Sequence, residues 1–153
     1  MHNPEKETGE IKGELELVFT GDEFILPSDT RILEPVRNEL ERRLLAAGWV
    51  EEKIEKVLVA VDEAITNAVK HGNKNKPEAK VYIRLTLDNL DFKVVIRDEG
   101  SGIPDDQVPD PRQQENITKA DGRGIFLMKQ LSDKTEFNGP EVILYFKNDV
   151  QIN

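Results

Sequence analysis

An amphipathic helix constrains the fold of this chain more than any other feature of its sequence. From residue 51 to residue 71 the apolar residues recur at intervals of three and four, and Gly72 ends the pattern. The apolar positions are Ile54, Val57, Leu58, Val61, Ala64, Ile65 and Ala68. Because residues at this spacing line one side of a helix, the pattern predicts a helix with one side in the core.

Strands and two further helices surround this helix in the sequence. Period-two alternation of apolar and polar residues predicts strands, and renewed spacing at three and four predicts helices. The predicted strands cover residues 15–20, 24–27, 80–88, 91–98, 135–137 and 142–146, and the predicted helices cover residues 28–48 and 124–131. Ser28 or Asp29 is suited to cap the first of these helices, and Pro35 moves its expected start to about residue 34.

The length of 153 residues predicts one domain, large enough to bury about two-thirds of its unfolded surface. Residues 14–148 are expected to form this domain, between a polar, flexible arm of residues 1–13 and a tail of residues 149–153. Residues 102–121 contain three prolines and no sustained periodicity, which predicts a functional loop.

Charge and composition exclude several classes of function. The net charge of −9 argues against a protein that binds nucleic acid directly through a basic face. It also means that a polyphosphate ligand needs a metal ion or local cations. The absence of cysteine excludes disulfides, thiolate metal sites and thiol nucleophiles. Neither a secretory signal nor an apolar stretch of about 20 residues is present, so a cytoplasmic protein without membrane contact is expected.

Glu63 and Asn67 lie four residues apart on the predicted core helix and therefore share one side of it. Asparagine is a poor helix former, so an exposed helix has little need of it. Its carbonyl oxygen is a suitable ligand for Mg²⁺, and a neighbouring glutamate can accept a proton from a hydroxyl or a water. Alone, the pair is more typical of a solvated helix surface. With the two motifs that follow, it indicates a site.

The second motif lies where a strand ends in a glycine turn. Asp98 stands at the end of the strand, where its carboxylate can accept a hydrogen bond from an exocyclic amine such as N6 of adenine. Gly100 and Gly102 allow the backbone to turn sharply and to approach a flat base. In isolation this motif is more typical of an ordinary β-turn.

The third motif is a glycine pair, Gly122 and Gly124, just before the apolar residues 125–128. Backbone N–H groups at the start of a helix carry partial positive charge and favour phosphate. Arg123 and Lys119 add cationic charge there. Alone, the pair is more typical of a loop. The chain has neither a P-loop motif nor a Gly-x-Gly-x-x-Gly fingerprint after its first strand.

In this order the three motifs resemble the successive boxes of the GHKL ATPase superfamily. The matching stretches are residues 62–73, 98–104 and 122–133, and the resemblance extends over about residues 24–146. Within the superfamily the chain is most similar to the bacterial anti-sigma factor serine/threonine kinases. The resemblance implies an α+β fold of the Bergerat ATP-binding type, a two-layer α/β sandwich with a mostly antiparallel mixed sheet.

The resemblance also implies roles for individual residues. Glu63 matches the catalytic base that activates a substrate serine, Asn67 the Mg²⁺ ligand, and Asp98 the acid that reads adenine. Residues 103–121 correspond to the ATP lid. Ala120 stands where some members place an arginine that meets the terminal phosphate. The residues implied to bind the nucleotide are Asn67, Asp98, Gly100, Gly102, Ile103, Lys119, Gly122, Arg123 and Gly124.

The activity that the resemblance implies is that of an ATP-dependent serine-protein kinase and anti-sigma factor. Such a protein binds Mg²⁺ and ATP, sequesters a sigma factor, and phosphorylates a STAS-domain anti-anti-sigma factor, as a homodimer. Two alternatives stay open. One is an ATP-binding regulatory module that binds partners without phosphotransfer. The other is a detached ATPase domain of the sensor histidine kinase kind, which ranks last because no phosphoacceptor-helix pattern accompanies it.

Overall fold

Strands from both ends of the chain form one antiparallel sheet. A computed structural model describes residues 6–11, 15–100 and 120–149. The strands are β1 Lys6–Ile11, β2 Leu15–Thr20, β3 Glu23–Pro27, β4 Lys80–Leu87, β5 Asp91–Arg97, β6 Lys134–Asn138 and β7 Glu141–Lys147. They follow the order β1-β2-β3-β4-β5-β7-β6, and each of these pairings is antiparallel. The expectation was a mostly antiparallel mixed sheet, and every strand pair among the described residues is antiparallel.

Three helices pack on one face of this sheet, which confirms the expected two-layer sandwich. They are α1 Leu33–Ala46, α2 Glu51–Asn67 and α3 Ala120–Leu131. In β4, Val81, Ile83 and Leu85 are buried, whereas the intervening Tyr82 and Arg84 are more exposed. This alternation places the helices against one face and leaves the other face open among the described residues.

The core lies between α2 and the central strands. All seven apolar residues predicted to line one side of this helix are buried, six of them in α2 and Ala68 in the turn that follows it. The ring of Phe92 lies between the rings of Trp49 and Phe146, with centroids 6.2 and 6.1 Å away. The indole Nε1 of Trp49 donates to the carbonyl of Asp88 at 2.8 Å, so its polar atom is satisfied. The apolar periodicity of the sequence therefore predicted the buried side of α2 correctly.

Near the N-terminus the structure adds one strand and confirms a cap. Residues 6–11, expected to belong to a flexible arm, form β1 and pair with β2. Asp29 caps a short 3₁₀ turn, Thr30–Ile32, by accepting a hydrogen bond from the N–H of Arg31 at 2.8 Å. Helix α1 then begins at Leu33, close to the start that Pro35 predicted.

The two other long helical segments differ from the sequence prediction at one end each. The expected last turn of α2 is a π-helical turn, Ala68–Gly72, and the N–H of Asn73 donates to the carbonyl of Ala68 at 2.8 Å. Helix α3 begins at Ala120 rather than at Gly124. The glycine pair therefore lies inside the helix instead of in front of it.

Asn148 connects three segments at the end of the sheet where β4 turns into β5. Its Nδ2 donates to the carbonyls of Asn89 at 2.9 Å and Gly48 at 3.3 Å. Its Oδ1 accepts from the N–H of Val50 at 3.3 Å. This side chain ties the end of β7 to the β4–β5 turn and to the α1–α2 turn.

Candidate functional site

Glu63, Asn67 and Gly124 meet where α2 passes α3. A Cβ atom built on Gly124 would lie 2.9 Å from Oε2 of Glu63 and 3.6 Å from Nδ2 of Asn67. Glu63 and Asn67 are one helical turn apart on α2, so both side chains face α3. The structure thus brings the first and third sequence motifs into direct contact.

This contact changes the interpretation of Gly124. The sequence predicted a residue in front of a helix, with its free N–H available to phosphate. In the structure Gly124 lies within α3, and its missing side chain leaves the space that the Glu63 carboxylate occupies. Its main structural effect is therefore close packing of α3 against the acid.

Gly124→Ala is expected to displace the Glu63 carboxylate while the protein stays folded. The added methyl group meets the far end of the flexible Glu63 side chain, which can move aside. Alanine is also more favourable than glycine in a helix interior, by about 1 kcal/mol. A misplaced general base can cost about 100-fold in rate, so any phosphate transfer that depends on Glu63 as a base should fall by about 10- to 100-fold. Thermal unfolding and transfer kinetics on the same preparation measure both effects. An unchanged transfer rate would show that the contact has no catalytic consequence.

The pKa of Glu63 is raised above its ordinary value. Burial of the carboxyl raises the pKa most, and the negative charge of the neighbouring Asp62 raises it further. The positive charges of Arg123 and Lys70 oppose this shift. Asp62 itself pairs with Arg37 of α1, yet burial raises its pKa as well. A glutamate with a raised pKa is a stronger proton acceptor once ionised, as general bases require.

The same shift predicts a stability effect that depends on pH. Because the folded-state pKa is raised, the contribution of Glu63 to stability is fully present below its unfolded pKa and is lost as pH rises through the folded value. Glu63→Gln should therefore raise the melting temperature at pH 7 and lose that advantage below about pH 4. Glu55→Gln, an exposed site on the same helix, serves as the control. A lower melting temperature for Glu63→Gln at pH 7 would contradict the prediction.

Asn67 contributes a buried amide nitrogen that the described residues leave without a hydrogen-bond partner. Its side chain is 7% exposed, and its Nδ2 atom has no hydrogen-bond partner in the described part of the chain. Buried polar atoms are nearly always paired, so this atom fits a site that a bound polar group completes. Within the described ranges no cluster of three or more His, Cys, Asp and Glu residues could hold a metal ion. A metal at Asn67 would thus depend on oxygen atoms of the nucleotide.

Asp98 stands directly after β5 and is held in a tight glycine cluster. It is 7% exposed, and its Oδ1 accepts from the N–H of Gly100 at 2.7 Å. A Cβ on Gly72 would lie 2.0 Å from Oδ2 of Asp98, and a Cβ on Gly100 would lie 2.1 Å from the carbonyl oxygen of Gly72. Gly100 was predicted to let the backbone approach a flat base, and in the structure the backbone that it approaches closely is that of Gly72. From the sequence, Gly72 was assigned only as a helix terminator.

Asn67 and Asp98 line one cleft between α2 and the sheet. Its other lining residues are Ala64, Ala68, Ile96, Phe137, Gly139, Pro140 and Val142. Four of these belong to β6, β7 and the turn between them, which the sequence analysis did not connect with the site. The cleft has a volume of about 10 Å³, which is room for about one water molecule. A ligand as large as a purine base would therefore fit only if the cleft widened.

Comparison with known proteins identifies the fold. Residues 26–148 match the histidine kinase-like ATPase domain. The chain belongs to the histidine kinase-like ATPase family.

Three anti-sigma F factors are among its relatives. That of Halalkalibacterium halodurans is 35% identical over 89 residues, 56% of this chain and 60% of the relative. That of Bacillus licheniformis is 33% identical over 107 residues, 63% of this chain and 72% of the relative. That of Bacillus subtilis is 32% identical over 117 residues, 69% of this chain and 79% of the relative. These findings confirm the resemblance that the three motifs predicted.

The remaining predicted site residues of this histidine kinase-like ATPase fall into two groups. Gly122 lies in α3, and Arg123 is exposed on α3 next to Gly124. Gly102, Ile103 and Lys119 lie outside the described residues. Among the described helices of this ATPase domain, none is both long and apolar enough to cross a bilayer.

Proposed function

We propose that this ATPase-family protein is an ATP-dependent serine-protein kinase that also acts as an anti-sigma factor. It would sequester a sigma factor and phosphorylate a STAS-domain anti-anti-sigma factor in the cytoplasm. The observation that carries the proposal is the junction of Glu63 and Asn67 against Gly124, beside the cleft that Asn67 shares with Asp98. The similarity to anti-sigma F factors supports a sigma factor as one of the partners.

Each of these residues has a distinct task in the proposed reaction. Asp98 accepts a hydrogen bond from the adenine amine and so selects the base. Asn67 would hold Mg²⁺ through its amide oxygen, and the ion would supply charge neutralisation for the phosphates. Glu63, with its raised pKa, accepts the proton of the attacking serine hydroxyl. Burial around Glu63 lowers the local dielectric and strengthens these interactions.

Arg123 is the residue we assign to the terminal phosphate. Ala120, the first residue of α3, provides no charge where some members of the family have an arginine. Arg123 lies one residue from Gly124, and its positive charge acts on Glu63. Its guanidinium is exposed and therefore accessible to a phosphate that approaches Glu63.

The open face of the sheet supports the proposal of a homodimer. A cavity there is lined by two arginines, Arg84 and Arg97, and by two glutamates, Glu23 and Glu141, around the partly exposed Ile25. Equal numbers of opposite charges on one patch suit a two-fold contact, in which the same surface meets itself. Light scattering after gel filtration should give twice the mass of the chain.

Incubation with Mg-ATP and a STAS-domain protein from the same genome tests the kinase proposal. We expect the acceptor protein to gain the mass of one phosphate group on a serine, as seen by intact-mass and peptide mass spectrometry. Ala120 also favours a second candidate, a module in which ATP only sets the affinity for partners. ATP-dependent partner binding without a mass gain would identify that module and contradict the kinase proposal.

A further inference from the structure

Asn73 links the two halves of the candidate site. It follows the π-helical turn that ends the helix of Glu63 and Asn67. Its side chain is 4% exposed, and both of its polar ends are used. Oδ1 accepts from the N–H of Glu99 at 2.8 Å, and Nδ2 donates to the carbonyl of Lys80 at 2.9 Å. One amide therefore holds the end of α2 to the start of β4 and to the turn after β5.

Glu99 completes a closed ring of hydrogen bonds with Asn73 and Lys80. The carboxylate of Glu99 accepts from the N–H of Lys80, while its own N–H donates to Asn73. Asp98 precedes Glu99 directly, so the ring fixes the backbone on one side of the Asp98 carboxylate. Gly100, the residue after Glu99, also donates its N–H to Oδ1 of Asp98 at 2.7 Å.

From this geometry we propose that Asn73 is a positioning residue that sets Asp98 for recognition of adenine. The proposal rests on the nucleotide site described under the proposed function. Asn73 touches neither Glu63 nor Asn67 in any described hydrogen bond, and it acts through the backbone of Glu99. Because Gly72 packs against Asp98 with no room for a Cβ, a small shift of the turn moves the carboxylate relative to α2.

The signature of this role is base selectivity. Asp98 accepts from the amine of adenine, whereas guanine presents a carbonyl oxygen at the corresponding position. A displaced carboxylate should therefore lose affinity for ATP and leave the weak binding of GTP unchanged. A side chain that served only the fold would lower stability without changing the preference between the two nucleotides.

A comparison of Asn73→Ala with Asn148→Ala distinguishes a positioning role from a purely structural one. Asn148 also makes side-chain hydrogen bonds to the backbone of neighbouring turns, but at the opposite end of the sheet. We expect both variants to melt at lower temperature. Only Asn73→Ala should bind ATP about tenfold more weakly by calorimetry, with the ATP-to-GTP preference reduced by the same factor. Amide hydrogen exchange should also be faster at Glu99 in this variant.

The outcomes distinguish the positioning role from the nucleotide site itself. A wild-type chain that prefers ATP, together with an unchanged preference in Asn73→Ala, would overturn the positioning role and leave the site intact. A wild-type chain that binds neither nucleotide would overturn both. If Asn73→Ala does not fold, Asn73→Ser, which retains a short polar group, takes its place with the same expected reduction in preference.

Discussion

Glu63→Gln is expected to slow phosphate transfer by about 10²- to 10⁴-fold, the usual contribution of a positioned general base. Glutamine keeps the length and shape of the side chain, so it still fits beside Gly124. It cannot accept the proton of a serine hydroxyl. Affinity for ATP should stay within about threefold of the wild type, because Glu63 is not among the residues that line the cleft of Asp98.

Two measurements make the Glu63 result specific. Glu55→Gln removes the same charge from an exposed site of α2, two turns earlier, and should transfer phosphate at the wild-type rate. Single-turnover transfer to the STAS-domain protein separates the chemical step from binding and product release. Wild-type single-turnover rates in Glu63→Gln would rule out the assignment of this residue as the base.

Asp98→Asn is expected to weaken ATP binding by about 10- to 150-fold, the value of a hydrogen bond to a charged acceptor. The amide has the shape of the carboxylate and can still accept from the N–H of Gly100. It adds an NH₂ group, however, where the adenine amine needs an acceptor. The fold should persist, because the contacts with Gly72 depend on shape rather than on charge.

Asp91→Asn is the matched control for Asp98. It makes the same change at the exposed first residue of β5, at the other end of the strand. Calorimetry with ATP on both variants gives the comparison. Equal affinity of Asp98→Asn and the wild type would remove Asp98 from the adenine site.

Periodic apolar sequences explain how much of the fold could be predicted. In α2 every predicted core residue is buried, because the hydrophobic effect acts directly on the spacing that the sequence displays. Strand β1 escaped prediction because its residues, Lys6–Ile11, are mostly polar and include a glycine. Such residues suit an edge strand, where charges prevent pairing with a further strand. Because they do not alternate between apolar and polar, they show no strand pattern in the sequence.

Tertiary contacts explain what the sequence did not predict. Helix α3 includes Gly122 and Gly124 although glycine disfavours helices, since packing against α2 compensates for the local cost. The sequence placed Glu63, Asn67 and Asp98 in one site through the order of their motifs. It did not indicate that Gly72 packs against Asp98 or that the β6–β7 turn closes the cleft. Both contacts join segments that are distant in the chain, and the residues that make them follow no periodic spacing in the sequence.

The close packing of Gly124 against Glu63 provides a criterion for classifying related sequences. In any relative with this arrangement of α2 and α3, a side chain at the position of Gly124 competes for volume with the acid at the position of Glu63. Relatives with alanine there are expected to transfer phosphate slowly, and relatives with a larger residue to have lost phosphate transfer, even where the acid itself is retained. A single residue distant in the chain from the motifs of α2 and β5, though packed against Glu63, would then help to separate enzymes from binding proteins in genome sequences, before any assay.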